Sequence, residues 1–113
     1  MLKRGKETIV TSCKLCQNPW SQGLGLMFRK RLEDECYIFV FRRPRKDYVT
    51  MLFMRFSIDI IWLNENKKVI DIYTGARPYQ RLIPFKYPAK YMIEMNEGMV
   101  DKFAITKGQI LSF

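Results

Sequence analysis

Three kinds of side chain in this sequence could do chemistry: a pair of cysteines, two acids standing alone in apolar runs, and clusters that mix cations with tyrosine. Cys13-Lys14-Leu15-Cys16 has the CxxC spacing of redox dithiols and zinc sites. A structural zinc needs two more ligands, and only Cys36 remains besides acids, with no histidine anywhere in the chain. A redox CxxC belongs at the start of a helix in a βαβ setting, whereas "ETIVTSCK" (7 to 14) is rich in β-branched residues and reads as a strand. The two thiols are therefore expected to be incidental, with no bound metal, no cofactor and no required disulfide. The lack of histidine also excludes Ser-His-Asp and Cys-His catalysis.

Asp59 stands between Ile58 and Ile60, and Glu94 between Ile93 and Met95. On an alternating strand either carboxylate can simply face water. A buried one needs a partner, because an unpaired buried charge is strongly destabilising. Arg29, directly after the apolar triplet of "GLMFRKRL" (25 to 32), is the natural candidate, since its planar fork can hold a carboxylate through two hydrogen bonds. Lys30 and Arg31 are then expected to point to water. Paired carboxylates could also do acid–base work, but no substrate-side motif accompanies them. Arg29, Asp59 and Glu94 are thus carried as candidate binding residues, no catalytic residue is assigned, and whether the protein is an enzyme stays open.

The cations outnumber the acids by 20 to 11, and residues 1 to 48 hold 11 of the cations against 5 of the acids. Such a surface attracts phosphates without any specific site. Arg42, Arg43, Arg45 and Lys46 beside Tyr48 form the densest cluster, and Arg77, Tyr79 and Arg81 in "ARPYQR" a second. Cationic and aromatic side chains together can grip a single strand by charge and stacking, so both clusters are candidate nucleic-acid contacts. Solvated loops are the plainer expectation, because no Walker loop, dinucleotide fingerprint or RNA-recognition signature is present.

The elements that must position these residues read mostly as strands. "CYIFVF" (36 to 41) is a continuous apolar run suited to a strand covered on both faces, and "RRPRKDY" (42 to 48) breaks it as a charged loop. "VTMLFMRF" (49 to 56) and "IDIIWL" (58 to 63) look like two further strands, the second forming a hairpin with "KVIDIYTG" (68 to 75) across "NENK". Residues 76 to 88, with Pro78, Pro84 and Pro88, form an extended connection. "AKYMIEM" (89 to 95) is another strand, "NEGMVDKF" (96 to 103) one or two helical turns, and "ITKGQILSF" (105 to 113) a closing strand. A short helical turn is expected from Pro19. No βαβ alternation appears. The fold class is mostly β: a compact antiparallel β-sandwich or partly closed barrel with one or two short helical turns, in one domain over 1 to 113. No apolar run is long enough to span a bilayer and no signal peptide is visible, so a cytoplasmic protein without a membrane partner is expected.

The order "GLMFR" (25 to 29), "IDIIWL", a Pro-rich connection, "YMIEMNEGMV" (91 to 100) and "ITKGQI" (105 to 110) resembles the Domain of Unknown Function 192 family over roughly residues 7 to 113. The resemblance implies a small β-rich domain and brings no established activity with it. Many bacterial members carry a Phe-Trp-Met-Lys-Asn-Thr string before Pro-Leu-Asp, and here "VTMLFMRFSID" (49 to 59) stands instead. If the polar string forms a binding surface in those members, that surface is apolar in this chain. The reading reached from the sequence is a non-enzymatic binding or accessory domain. The alternatives are a basic RNA- or DNA-binding module and a small-molecule enzyme using Asp59 or Glu94.

Overall fold

The computed structural model describes residues 1–16, 35–51, 56–78 and 82–113. The stretch around Arg29, the helical turn expected from Pro19, residues 52–55 of the strand expected over 49 to 56, and Tyr79 and Arg81 lie outside the described residues.

Five strands form the central sheet: β3 (Ser12–Cys16), β4 (Glu35–Arg45), β6 (Ile58–Leu63), β7 (Val69–Ala76) and β9 (Ala89–Asn96), in the order β3-β4-β9-β6-β7. Two ribbons accompany it: β1 (Leu2–Arg4) with β2 (Glu7–Val10), and β5 (Tyr48–Thr50) with β8 (Leu82–Pro84). A four-residue helix, α1 (Met99–Lys102), follows β9. All described pairings are antiparallel except β3 with β4, which run parallel. The mostly-β expectation holds, and no helix among the described residues is long and apolar enough to cross a membrane.

The sheet is covered on both faces, and this is why β6 is buried at all six of its residues. Side chains alternate, so Ile58, Ile60 and Trp62 enter one core with Tyr37, Phe39 and Met92, while Ile61 and Leu63 enter the other with Ile38, Ile93 and Met95. The β5–β8 ribbon lies over the first face through Val49 and Ile83. The N-terminal ribbon, α1 and the C-terminal segment lie over the second through Leu2, Ile9, Val100, Ile105 and Leu111.

Three sequence expectations change. Residues 105 to 113 do not form a closing strand, and meet the fold through the isolated bridges of Ser112 with Lys3 and Ile110 with Lys68. The run 7 to 14 is two strands, not one, divided at Thr11, so that β2 pairs with β1 and β3 pairs with β4. Residues 42 to 45 are not a loop, because β4 continues to Arg45. Pro44 is tolerated there because the register with β9 slips between Val40, opposite Tyr91, and Arg45, opposite Ala89. The extra residues form a bulge, and a residue inside a bulge need not donate to the ladder. The β6–β7 hairpin forms as read. Its turn is fixed by the Asn64 side chain, whose Oδ1 accepts from the amides of Asn66 and Lys68 at 2.9 and 3.1 Å.

Candidate functional site

Asp59 is buried, and its carboxylate is fully engaged by backbone. Oδ1 accepts from the Gly75 amide at 3.0 Å, and Oδ2 accepts from the amides of Gly98 and Val100, each at 3.0 Å. Those last two amides belong to the start of α1, whose own N-cap residue, Gly98, has no side chain to satisfy them. Gly98 sits at φ 96°, a left-handed conformation that glycine adopts freely. Asp59 therefore caps α1 from a neighbouring strand and ties it to the end of β7. Both of its oxygens accept from backbone amides.

Glu94 is also buried, on the opposite face. It pairs in register with Tyr37 on β4 and Ile60 on β6, whereas Asp59 lies opposite Met95. Burial among apolar neighbours pushes the Glu94 carboxyl up to about 8. The two acids are thus not brought together: strand alternation puts one on each side of the sheet. A paired-carboxylate site, as acid–base catalysis would need, is absent at these residues. The same face carries Trp62 and Phe85, edge to face at 5.6 Å, and the indole Nε1 of Trp62 is buried without an acceptor among the described residues.

A third buried acid, Asp71, was not singled out from the sequence although "VIDIY" repeats the pattern of "SIDII". It faces Trp62 in register and meets the Lys107 ammonium at 3.5 Å.

The CxxC does not form a pair. Residues i and i+3 on a strand point to opposite faces. Cys16 is accordingly buried in the first core, while Cys13 packs against the second beside Cys36. Among the described residues no three His, Cys, Asp or Glu side chains are placed to hold a metal.

The basic cluster is where the structure gathers residues that the sequence left apart. The distal half of β4 presents Arg42, Arg43 and Arg45, all exposed, followed by Lys46. On the β5–β8 ribbon Val49 and Ile83 face the core, so Tyr48 and Leu82 face outward, 61% and 60% exposed. The segment after β8 adds Lys86, Tyr87 and, at the start of β9, Lys90. Residues 42 to 48 and 82 to 90 together hold six cations and one acid, over half of the net +9. The arrangement is partly preset. Lys90 Nζ donates to the Arg42 carbonyl at 3.0 Å. The Arg45 guanidinium lies 4.4 Å from the centre of the Phe41 ring and pairs with Asp47 at 2.8 Å. Beside the cluster are two open recesses that share Asn64 and Pro88. One, of about 240 Å³, is lined by Pro44, Glu65, Asn66 and Lys90 as well, and the other, of about 430 Å³, by Ile70, Tyr87 and Lys107. Lys86, Tyr87 and Lys90 stand in "FKYPAK", which mixes basic and aromatic residues and could have drawn attention to them.

Arg77 is elsewhere. It follows Ala76, which pairs with Ile58 and through it with Asn96, at the end of the sheet where β9 finishes. Arg42 to Arg45 lie at the end where β9 begins. Arg77 therefore lies at the other end of the sheet from Arg42 to Arg45.

Compared with known proteins, the whole chain, residues 1–113, matches the model of the family DUF192, described as "Uncharacterized ACR". It is 35% identical to a UPF0127 protein of Pyrococcus furiosus, over 97% of this chain and 92% of that protein. A crystal structure of a protein of unknown function from Novosphingobium aromaticivorans is similar with a TM-score of 0.84 and 27% identity, covering 89% of this chain and 74% of that one. A second, from Sinorhizobium meliloti and described as a proposed transcription regulator, has a TM-score of 0.84 at 24% identity, covering 88% of this chain and 79% of that one, a likeness of fold.

Proposed function

We propose that this chain, which belongs to the uncharacterised DUF192 family, is a non-enzymatic binding domain that holds single-stranded nucleic acid at its basic end. The observation that carries the reading is the outward face of the β5–β8 ribbon. It displays Tyr48 beside the exposed cations of β4, on a ribbon anchored from below by Val49 and Ile83. Cations neutralise phosphates and release counterions, which supplies affinity without sequence preference. Exposed tyrosines offer a ring to any base, so the grip needs no base-edge code. The open recesses beside Tyr87 and Lys90 give a displaced base room to sit. The proposed setting is the cytoplasm, where thiols such as the three here stay largely reduced.

Fluorescence anisotropy with a labelled oligonucleotide tests this. Binding is expected at about 50 mM salt and should weaken steeply as salt rises. Tyr48→Ala should weaken it by about tenfold, the scale of one lost stacking contact. Reversing Arg42 and Arg43 to glutamate should flatten the salt dependence of log K by about 1.4 or more, since each single-strand phosphate contact contributes about 0.7. Reversing Lys6 and Lys102, exposed cations away from the ribbon, changes net charge equally. If that pair weakens binding as much as Arg42 and Arg43, or if no binding occurs at about 50 mM salt, the reading is wrong and the charge serves solubility.

A further inference from the structure

We propose that Cys13 and Cys36 form a dithiol site that exchanges with a low-molecular-weight disulfide and closes into a cross-strand bond. The two residues lie directly opposite each other on the parallel strands β3 and β4. Their sulfurs are 3.4 Å apart, with the Cys36 thiol donating to Cys13 Sγ. Neighbouring strands stand about 4.8 Å apart, inside the usual Cα separation of a disulfide, and directly opposed residues point to the same face. Both cysteines are free. Exposure separates their roles: Cys36 is fully buried, while Cys13 is partly exposed on β3, an edge strand of the central sheet. A solution disulfide therefore reaches Cys13 and not Cys36. The third cysteine cannot compete, because Cys16 is buried in the core on the other side of the sheet.

The exchange runs in two steps. The Cys13 thiolate attacks one sulfur of the small disulfide, forming a mixed disulfide and releasing one small thiol, which takes up the proton that Cys13 lost. Cys36 then gives up its proton and attacks Cys13 Sγ, forming the Cys13–Cys36 bond and releasing the second small thiol. Two protein thiols are oxidised and one small disulfide is reduced to two thiols. Burial holds the Cys36 thiol above the ordinary thiol range, so the closing step quickens as pH rises. The bond ties edge strand β3 to β4 and leaves Cys16 as a thiol. The site is independent of the basic end.

The test uses the full native chain with oxidised glutathione as probe, followed by alkylation, intact mass and peptide mapping. The unsubstituted protein should lose two hydrogens and yield a linked Cys13–Cys36 peptide, with Cys16 alkylated only after unfolding. Cys16→Ser should behave the same way. Cys36→Ser and Cys36→Ala should both stop at a glutathione adduct on Cys13. Circular dichroism identifies whichever of the two keeps its fold. Cys13→Ser should leave Cys36 unmodified. Stable glutathionylation of Cys13 in the unsubstituted protein, a link through Cys16, or no reaction at all would overturn the proposal.

Discussion

Asp59→Ala is expected to destabilise the protein by about 4 kcal/mol. Three backbone amides, those of Gly75, Gly98 and Val100, end on its two oxygens at 3.0 Å. A hydrogen bond to a charged group contributes roughly 1.5–3 kcal/mol, and a buried donor left without a partner costs about 1–3 kcal/mol. The three bonds share one carboxylate, so their loss falls short of a simple sum. Asp59→Asn should cost less. Its single carbonyl can turn to Gly98 and Val100, but its amide nitrogen then meets the Gly75 N–H, donor against donor. Urea unfolding gives both values, and amide exchange locates the damage: Gly98 and Val100 should lose protection before the strands do. An alanine effect below about 1 kcal/mol, ordinary for a surface site, would show that α1 does not depend on this cap.

That result would also explain how much the sequence could say. The apolar run "IDIIWL" announces a buried strand, and "NEGMV" announces a turn into a helix. Both are local signals, read from periodicity and glycine placement. What joins them is a contact between residues 59 and 98, and no local pattern encodes a partner 39 positions away. The same limit applies to the cysteines. CxxC spacing draws the eye to Cys13 and Cys16, yet strand alternation separates them, and the true neighbour of Cys13 is set by the β3–β4 register. The basic end was half legible. Arg42 to Tyr48 stood out as a run, while Lys86, Tyr87 and Lys90 join it only because β8 pairs with β5 and β9 with β4. Pro44 argued for a loop, and the bulge that accommodates it in β4 is a tertiary feature, since it exists only in relation to β9.

Glu94 should make the protein lose stability as pH rises. In the folded chain burial pushes its carboxyl from an ordinary 4.5 up to about 8. The unfolded chain releases this proton near the ordinary value, whereas the folded chain keeps it through neutrality. Between about 4.5 and 8 the unfolded state thus binds fewer protons at this site, and stability falls as pH rises through that window. The slope approaches about 1.4 kcal/mol per pH unit at most and flattens above about 8, where both states are ionised. Below about 4.5 both states are protonated and the site contributes no slope. Glu94→Gln keeps the shape and removes the charge. Its unfolding free energy should stay close to that of the unsubstituted protein at pH 5 and exceed it by several kcal/mol at pH 9. Chemical unfolding of the two proteins across this range measures the difference directly, and contributions from the other titrating groups cancel in it. Parallel curves would mean that Glu94 is ionised in the fold at neutral pH. A charge held there between Tyr37 and Ile60 would need a cation beside it, and the face would then be an ionic site rather than the neutral, aromatic-lined core under the ribbon that presents Tyr48.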